Sequence, residues 1–427
     1  MAHSLTLDPG SVNTMVEPIA VVPGSLARQL QRAERRKRAF AISLTLPLLL
    51  FLLFTFLVPI GALLTRAVEN PEVASTLSRT GDALVQWNRT SAPPDAAYAA
   101  LIEDLSAIKE QADAGTLARR LNSEVSGARS LIMSTYRALP FEKGLTPPQV
   151  RERLLALDAR WGELSYWQAI AKNGSRWTPD YLLASLDLQR DVQGNIGKVD
   201  ADSAAFGKIL LRTFNISAVV TLCCLLIGYP LAYWLSTLPA RKANMLMILV
   251  LVPFWTSILV RVAAWIVLLQ SNGLVNRSLM GLGLTDEPLP LLFNRLGVII
   301  AMVHILLPFM ILPLYSVMKS VPNTYLRAAV SLGSSPLAAF FRVYVPQTYP
   351  GMGAGGLLVF ILSIGYYVTP ALLGGADDQM LSYYIAQYTN VNVNWGMACA
   401  LGAVLLTATL VLYALYRRVV KSELSLG

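Results

Sequence analysis

YLRAAVSLGSSPLAAFFRVYVPQTYPG, residues 325–351, separates two long apolar runs and carries the punctuation of two short helices. Asn323 or Thr324 is placed to cap the first helix. Gly333 is placed to end it in a left-handed turn, which a residue without a Cβ adopts at no steric cost. Ser334 and Ser335 are placed to cap the second helix. Pro336 suits its first position, where the missing N–H breaks no helical bond, and Pro346 is expected to stop it. A helix–turn–helix between two membrane-length segments offers one membrane face to a partner.

Outward from this stretch, the 427 residues are 54% hydrophobic and only 14% charged, where soluble domains carry roughly a quarter charged residues. Six segments reach the roughly 20 apolar residues needed to cross a bilayer: 40–64, 209–237, 245–269, 296–318, 352–373 and 395–416. The first is read as an uncleaved span and not a signal peptide. Its apolar run is too long for a signal peptide, a long polar stretch precedes it, and no clear small-residue cleavage site follows. The fold class is therefore an all-α membrane protein with about six transmembrane helices.

Lys and Arg set the expected orientation. RQLQRAERRKR (28–38) precedes span one, and Arg241 and Lys242 follow span two. Lys319, Arg327 and Arg342 lie between spans four and five, and Arg417, Arg418 and Lys421 follow span six. All four groups share a side if both termini are cytoplasmic, and the loop 374–394, with no Lys or Arg, then lies outside. The expected organisation is a basic, largely disordered cytoplasmic tail (1–39), transmembrane helix 1 (40–64), and a periplasmic helical insert (65–208). A core of helices 2–6 (209–416), with the loop 319–351 facing the cytoplasm, and a cytoplasmic tail (417–427) complete it. The insert holds about 17 basic and about 18 acidic residues, so the rest of the chain supplies the whole net charge of +9. Those basic residues flank apolar spans and form no single face, which excludes nucleic acid as a partner.

Within the insert, Tyr98, Leu101, Ile102, Leu105 and Ile108 keep a helical period after Pro93-Pro94-Asp95. A second helical run covers 114–138, and a third opens at Thr146-Pro147-Pro148. Trp161, Leu164 and Trp167 are read as core of this small domain. Cys223, Cys224 and Cys399 fall in apolar spans, form no disulfide framework and lack metal-ligand spacing. The chain has no G-x-x-x-x-G-K-[ST] loop to cradle phosphates, and its two histidines, His3 and His304, are too few for a His-rich metal site, so no catalytic, cofactor or metal site is expected in it. GMGAGG (351–356) opens a span with no strand before it and reads as close helix packing.

Ionisable groups inside spans are functional candidates by default. Arg261 has two readings that stand side by side. It pairs with an acid at the outer mouth (Asp286, Glu287, Asp377 or Asp378), or it snorkels to the interface and only positions its helix. His304 reads as a neutral, hydrogen-bonded packing histidine, because no intramembrane carboxylate accompanies it. Trp255, Tyr366 and Tyr367, with Arg261, His304, Asp377 and Asp378, complete the candidate translocation path.

The loop, as Arg327-Ala328-Ala329 with Gly333, Pro336 and Pro346, resembles the coupling-loop signature of permease subunits of binding-protein-dependent ATP-binding-cassette importers. IGYPLAY (227–233), PFWTSILVRVAAW (253–265), HILLPFM (304–310), YVTPALLGG (367–375) and NWG (394–396) resemble its polyamine branch, the spermidine and putrescine type. The resemblance covers 40–64 and roughly 180–420 and is silent on the insert at 70–178. It implies the type I importer permease fold, and an inner-membrane transport subunit that is not itself an enzyme. It also implies as partners a second permease subunit, two ATPase subunits that bind ATP-Mg, a periplasmic substrate-binding protein and the lipid membrane. The expected cargo is a polyamine or related organic cation, with an amino-acid-like solute as the alternative. A receptor with an external ligand-binding domain explains the insert but not six spans. A secondary carrier predicts intramembrane carboxylates, and none is evident. One departure stands out: the family usually has Glu where this chain has Arg327, so the ATPase is expected either to offer an acid there or to lack the ion pair.

Overall fold

The computed structural model describes residues 23–424 apart from 143, 192, 193, 202 and 203. The expected disordered tail falls partly outside these residues, as does His3. The chain divides into two units between Ala62 and Leu63. In the first, α1 (Pro23–Leu52) runs through a π turn at Leu53–Leu57 into α2 (Val58–Arg66). Residues 23–39, expected as disordered tail, are thus helical. Their run of Arg, Lys, Gln, Glu and Ala has high helix propensity, and Glu34 and Arg38 pair one turn apart.

The second unit begins with the insert. Its helices are α3 (Pro71–Ala74), α4 (Ser78–Leu84), α5 (Asp95–Ala107), α6 (Gln111–Asn122), α7 (Ala128–Arg137), α8 (Pro147–Leu157), α9 (Leu164–Lys172) and α10 (Asp180–Ser185). The run expected as one helix over 114–138 is two, because Gly127 adopts φ 89° between α6 and α7. Thr146 and Gln149 form a capping box at the start of α8. Trp161 and Trp167 are fully buried beside Tyr98, with ring centroids 5.5 and 4.4 Å apart along that row, whereas Leu164 is only half-buried. Both indoles satisfy their N–H in the core: Trp161 donates to Thr135 Oγ1 and Trp167 to the Trp161 carbonyl, each at 2.9 Å. A short antiparallel hairpin, β1 (Leu188–Arg190) and β2 (Ile196–Lys198), follows; the helical reading of the insert missed it.

The spanning core contains α11 (Phe206–Thr237), α12 (Ala240–Leu251), α13 (Ile258–Leu269), α14 (Leu274–Gly281) and α15 (Arg295–Ser320). The loop elements α16 (Asn323–Ser331), α17 (Pro336–Ala339) and α18 (Val345–Gln347) follow. After them come α19 (Tyr349–Gly365), α20 (Val368–Leu373), α21 (Leu381–Asn390) and α22 (Trp395–Leu424). Among the described residues, five helical segments are long and apolar enough to cross a membrane, and a bent pair makes a sixth if it is one span. Helices α11, α15 and α19 share one buried core that includes Val220, Cys224, Val303, Leu306, Met310 and Val359.

Two expected spans are broken. The run 245–269 divides at Val252–Trp255, a 3-10 turn, because Pro253 has no N–H for the helical ladder. The run 352–373 ends its long helix at Gly365, and 368–373 forms the separate α20. The insert is joined to this core by specific contacts. Asp187 accepts from the backbone N–H groups of Ala205, Phe206 and Gly207 at 3.0, 2.9 and 2.7 Å, so it occupies the amino end of α11. Tyr181 of α10 packs against Gly396 of α22, leaving no room for a Cβ there.

Candidate functional site

The loop between α15 and α19 is an exposed helix–turn–helix. Helix α16 has no buried residue, and Arg327, Ala328, Gly333 and Pro336 are exposed, with Ala329 and Pro346 half-buried. Asn323 is the first residue of α16 and not its cap; the cap position is Pro322, which offers no side-chain acceptor. Gly333 ends the helix with φ 97°. Its N–H donates to the Val330 carbonyl at 3.0 Å and that of Ser334 to the Ala329 carbonyl at 3.1 Å, the two bonds of a Schellman turn. Ser335 caps α17, its Oγ accepting from the Ala338 N–H, with Pro336 in the first turn.

Pro346 does not stop the second loop helix, as the sequence suggested. A π turn at Phe340–Tyr344 shifts the hydrogen-bond register just before it, and the helix continues to Gln347. The chain then bends by 60° into α19. The bend is braced: Tyr229 Oη and Thr348 Oγ1 share a hydrogen bond of 3.0 Å. The rings of Tyr233, Phe340 and Tyr344 pack at 5.1–5.5 Å centroid separations. Sequence reading missed this aromatic brace. Its only local signal was four aromatic residues within 340–349, which alone do not reveal what they face.

Leu332, Leu337 and Phe341 are 88, 72 and 63% exposed along the same loop. Three large apolar side chains beside a flat pair of alanines make a surface suited to a groove on another protein, a helix-in-groove contact.

The candidate path residues do not form one cluster. Trp255 is 75% and Tyr367 45% exposed. The two acids of the loop 374–394 are already engaged. Asp378 is buried and paired with Arg295 at 3.0 Å, and Asp377 lies 3.8 Å from Arg212. Neither pairs with Arg261, nor does Asp286 or Glu287, so the expected outer-mouth ion pair of Arg261 is absent among the described residues. Arg261 is in the first turn of α13. The Arg261 Nε and Nη1 are buried and have no hydrogen-bond partner.

Arg261 is close enough to act electrostatically on His304 and Tyr366. His304 is exposed on α15, not packed inside, and its Nδ1 accepts from Trp265 Nε1 at 3.2 Å. An indole N–H only donates, so His304 is neutral with its proton on Nε2. Among the described residues of the candidate path, Arg261 thus lies within electrostatic range of two others, His304 and Tyr366.

Residues 216–423 match the family described as "Binding-protein-dependent transport system inner membrane component". The chain is 38% identical over 194 residues to the spermidine/putrescine transport system permease protein PotB of Escherichia coli (strain K12), spanning 45% of this chain and 70% of that one. It is 37% identical over 214 residues to the protein of the same name in Haemophilus influenzae, spanning 50% and 74% of the two chains. One chain in the crystal structure of a bacterial alginate ABC transporter, in complex with an alginate pentasaccharide-bound periplasmic protein, aligns with a TM-score of 0.41. The identity is 17%, over 49% of this chain and 76% of that one.

Proposed function

This chain belongs to the inner-membrane-component family of binding-protein-dependent transport systems, and we propose that it is the permease subunit of an ATP-driven importer for polyamines. The observation that carries the reading is the 38% identity with PotB over 194 residues, beside a family match over residues 216–423 that takes in most of the spanning core and the loop. The chain makes and breaks no bond. It works by mechanical coupling: α16 to α18 seat in a groove of a partner ATPase, and closure of two such subunits on ATP-Mg moves the loop. The brace from Tyr229, Tyr233, Phe340 and Tyr344 carries that movement into α11 and α19. A second permease subunit completes the path, and a periplasmic binding protein delivers the cargo. Both termini lie on the ATPase side, with the insert and the loop 374–394 opposite, as the Lys and Arg distribution favours.

Arg327 is exposed on the docking face, where the ATPase meets it. Arg327→Glu is expected to weaken coupled transport with the native ATPase, because a desolvated like-charge contact costs several kcal/mol. Unchanged transport-coupled ATP turnover in that variant would show that no partner acid stands there.

The proposed function is tested by uptake. Cells lacking this chain should lose energy-dependent accumulation of labelled spermidine or putrescine and regain it on complementation. Undiminished polyamine uptake, in cells with no other polyamine importer, would overturn the substrate. A transport-competent complex isolated without any ATPase would overturn the importer reading itself.

A further inference from the structure

We infer that Arg261 is half of an ion pair whose carboxylate is supplied by a spanning helix of a different chain, the second permease subunit. The inference rests on the permease reading above. It starts from a group that this chain leaves incomplete. Two nitrogens of the guanidinium, Nε and Nη1, are buried without a hydrogen-bond partner. Its Nη2 is outside that buried set and is the route by which a group beyond this chain reaches the charge. Arginine stays protonated in proteins, so the charge cannot be relieved by losing a proton. A lasting unpaired charge in a span is expensive, and such groups pair with one another or line a wet cavity.

The chemistry of the surroundings sets the sign of the missing group. Arg261 only donates. His304 accepts through Nδ1 from Trp265 and so presents a donor at Nε2 on an exposed face. Donors without an acceptor call for an anion. A cationic cargo cannot supply it, and a cargo present for part of the cycle would leave the arginine unpaired in the rest. A permanent protein carboxylate satisfies both conditions.

A second copy of this chain cannot provide that carboxylate. The helices α11 to α15 and α19 contain no Asp or Glu, and α22 has none before residue 423. The loop acids Asp377 and Asp378 already face Arg212 and Arg295, and Asp286 and Glu287 lie outside the spanning helices, between α14 and α15. The carboxylate must therefore come from a different sequence, which makes Arg261 a determinant of pairing between unlike subunits.

The test uses the whole importer, purified through a tag on this chain. With Arg261→Glu, recovery of the second permease subunit is expected to fall by about tenfold or more, since two carboxylates would then face each other in the membrane. Replacing Asp and Glu residues of the partner's spans one at a time with Lys should find one position that restores recovery. If Arg261→Glu does not accumulate, Arg261→Met serves instead, with restoration sought from the matching acid-to-amide change. Full recovery of the partner with the Arg261 variants, or failure of every partner replacement to restore it, would overturn the ion pair. Full recovery accompanied by altered spermidine-stimulated ATP turnover would also overturn it, placing Arg261 against the cargo. Absence of any second permease subunit from the unmodified preparation would overturn both this pair and the permease reading.

Discussion

Glu124 shows how single side chains hold the insert. Burial alone would raise its pKa, but Arg120 at 3.1 Å and Lys172 at 2.9 Å outweigh that, and the carboxyl titrates below its ordinary value. Arg120 also donates to Asn70 Oδ1 at 3.2 Å and Asn173 Oδ1 at 2.6 Å, and its guanidinium sits 4.9 Å from the ring centre of Tyr181. One carboxylate thus anchors the arginine that links α3, α6, α9 and α10. A carboxyl whose folded pKa is depressed stabilises the fold fully above its unfolded value, about 4.3 for Glu. That contribution fades as pH falls through the lower folded value. Melting of the purified protein should therefore drop on acidification below about pH 4.3. Glu124→Gln should melt lower at pH 7 and show a shallower acid limb. Superimposable pH profiles of variant and parent would contradict this assignment. Apart from Arg120, one helical turn before Glu124, these partners were not visible in the sequence, because Glu124, Lys172, Asn173 and Tyr181 are brought together only by folding across 57 positions.

At the scale of elements, the legible features were those written in local chemistry. Gly333, Ser335 and Pro336 announce the loop helices because a left-handed turn, a cap and a first-turn proline each need a particular residue type. Helix α5 and the start of α8 were equally plain. What escaped was decided at a distance or by a shift in register. The π turn at Phe340–Tyr344 carries the helix past Pro346, and Pro253 divides a run whose hydropathy is continuous. The glycine-rich start of α19 lies between these cases. Its small residues promised close packing, and Gly355 delivers it: a Cβ there would lie 2.9 Å from Met310 Sδ and 3.1 Å from the Met310 carbonyl oxygen of α15. Gly355→Leu should therefore cost about 1–3 kcal/mol through overpacking and reduce the yield of intact permease. Gly402→Leu on α22, where a Cβ meets nothing within 4 Å, should be tolerated. Equal melting temperatures for the two variants would show that α15 and α19 yield more readily than their packing implies.

For the whole molecule, the question is what the insert does to a core of the importer type. Its attachment is narrow in sequence. The Thr178 N–H donates to the Val68 carbonyl at 2.8 Å and the Asn70 N–H to the Arg176 carbonyl at 2.7 Å, with Glu69 opposite Trp177 in an antiparallel bridge. Everything from α3 to α9 is threaded between those two strand-like ends. The buried core of that part, centred on Trp161 and Trp167, is separate from the one shared by α11, α15 and α19. Beyond the neck lie the true joints to the membrane core: Tyr181 on Gly396, and Asp187 at the start of α11. Replacing residues 71–175 with Asn-Gly, which favours the tight turn that an antiparallel pair requires, should leave those joints and the spans intact. The shortened chain is expected to accumulate in membranes and to retain the ATPase on purification. Its binding-protein-stimulated ATP turnover then separates three roles. A loss of stimulation with the subunits still assembled means that the insert receives the binding protein. A loss of the second permease subunit means that it braces the pair, and unchanged turnover means that the importer core works without it. Failure of the shortened chain to accumulate at all would refute the independence that the two separate cores imply.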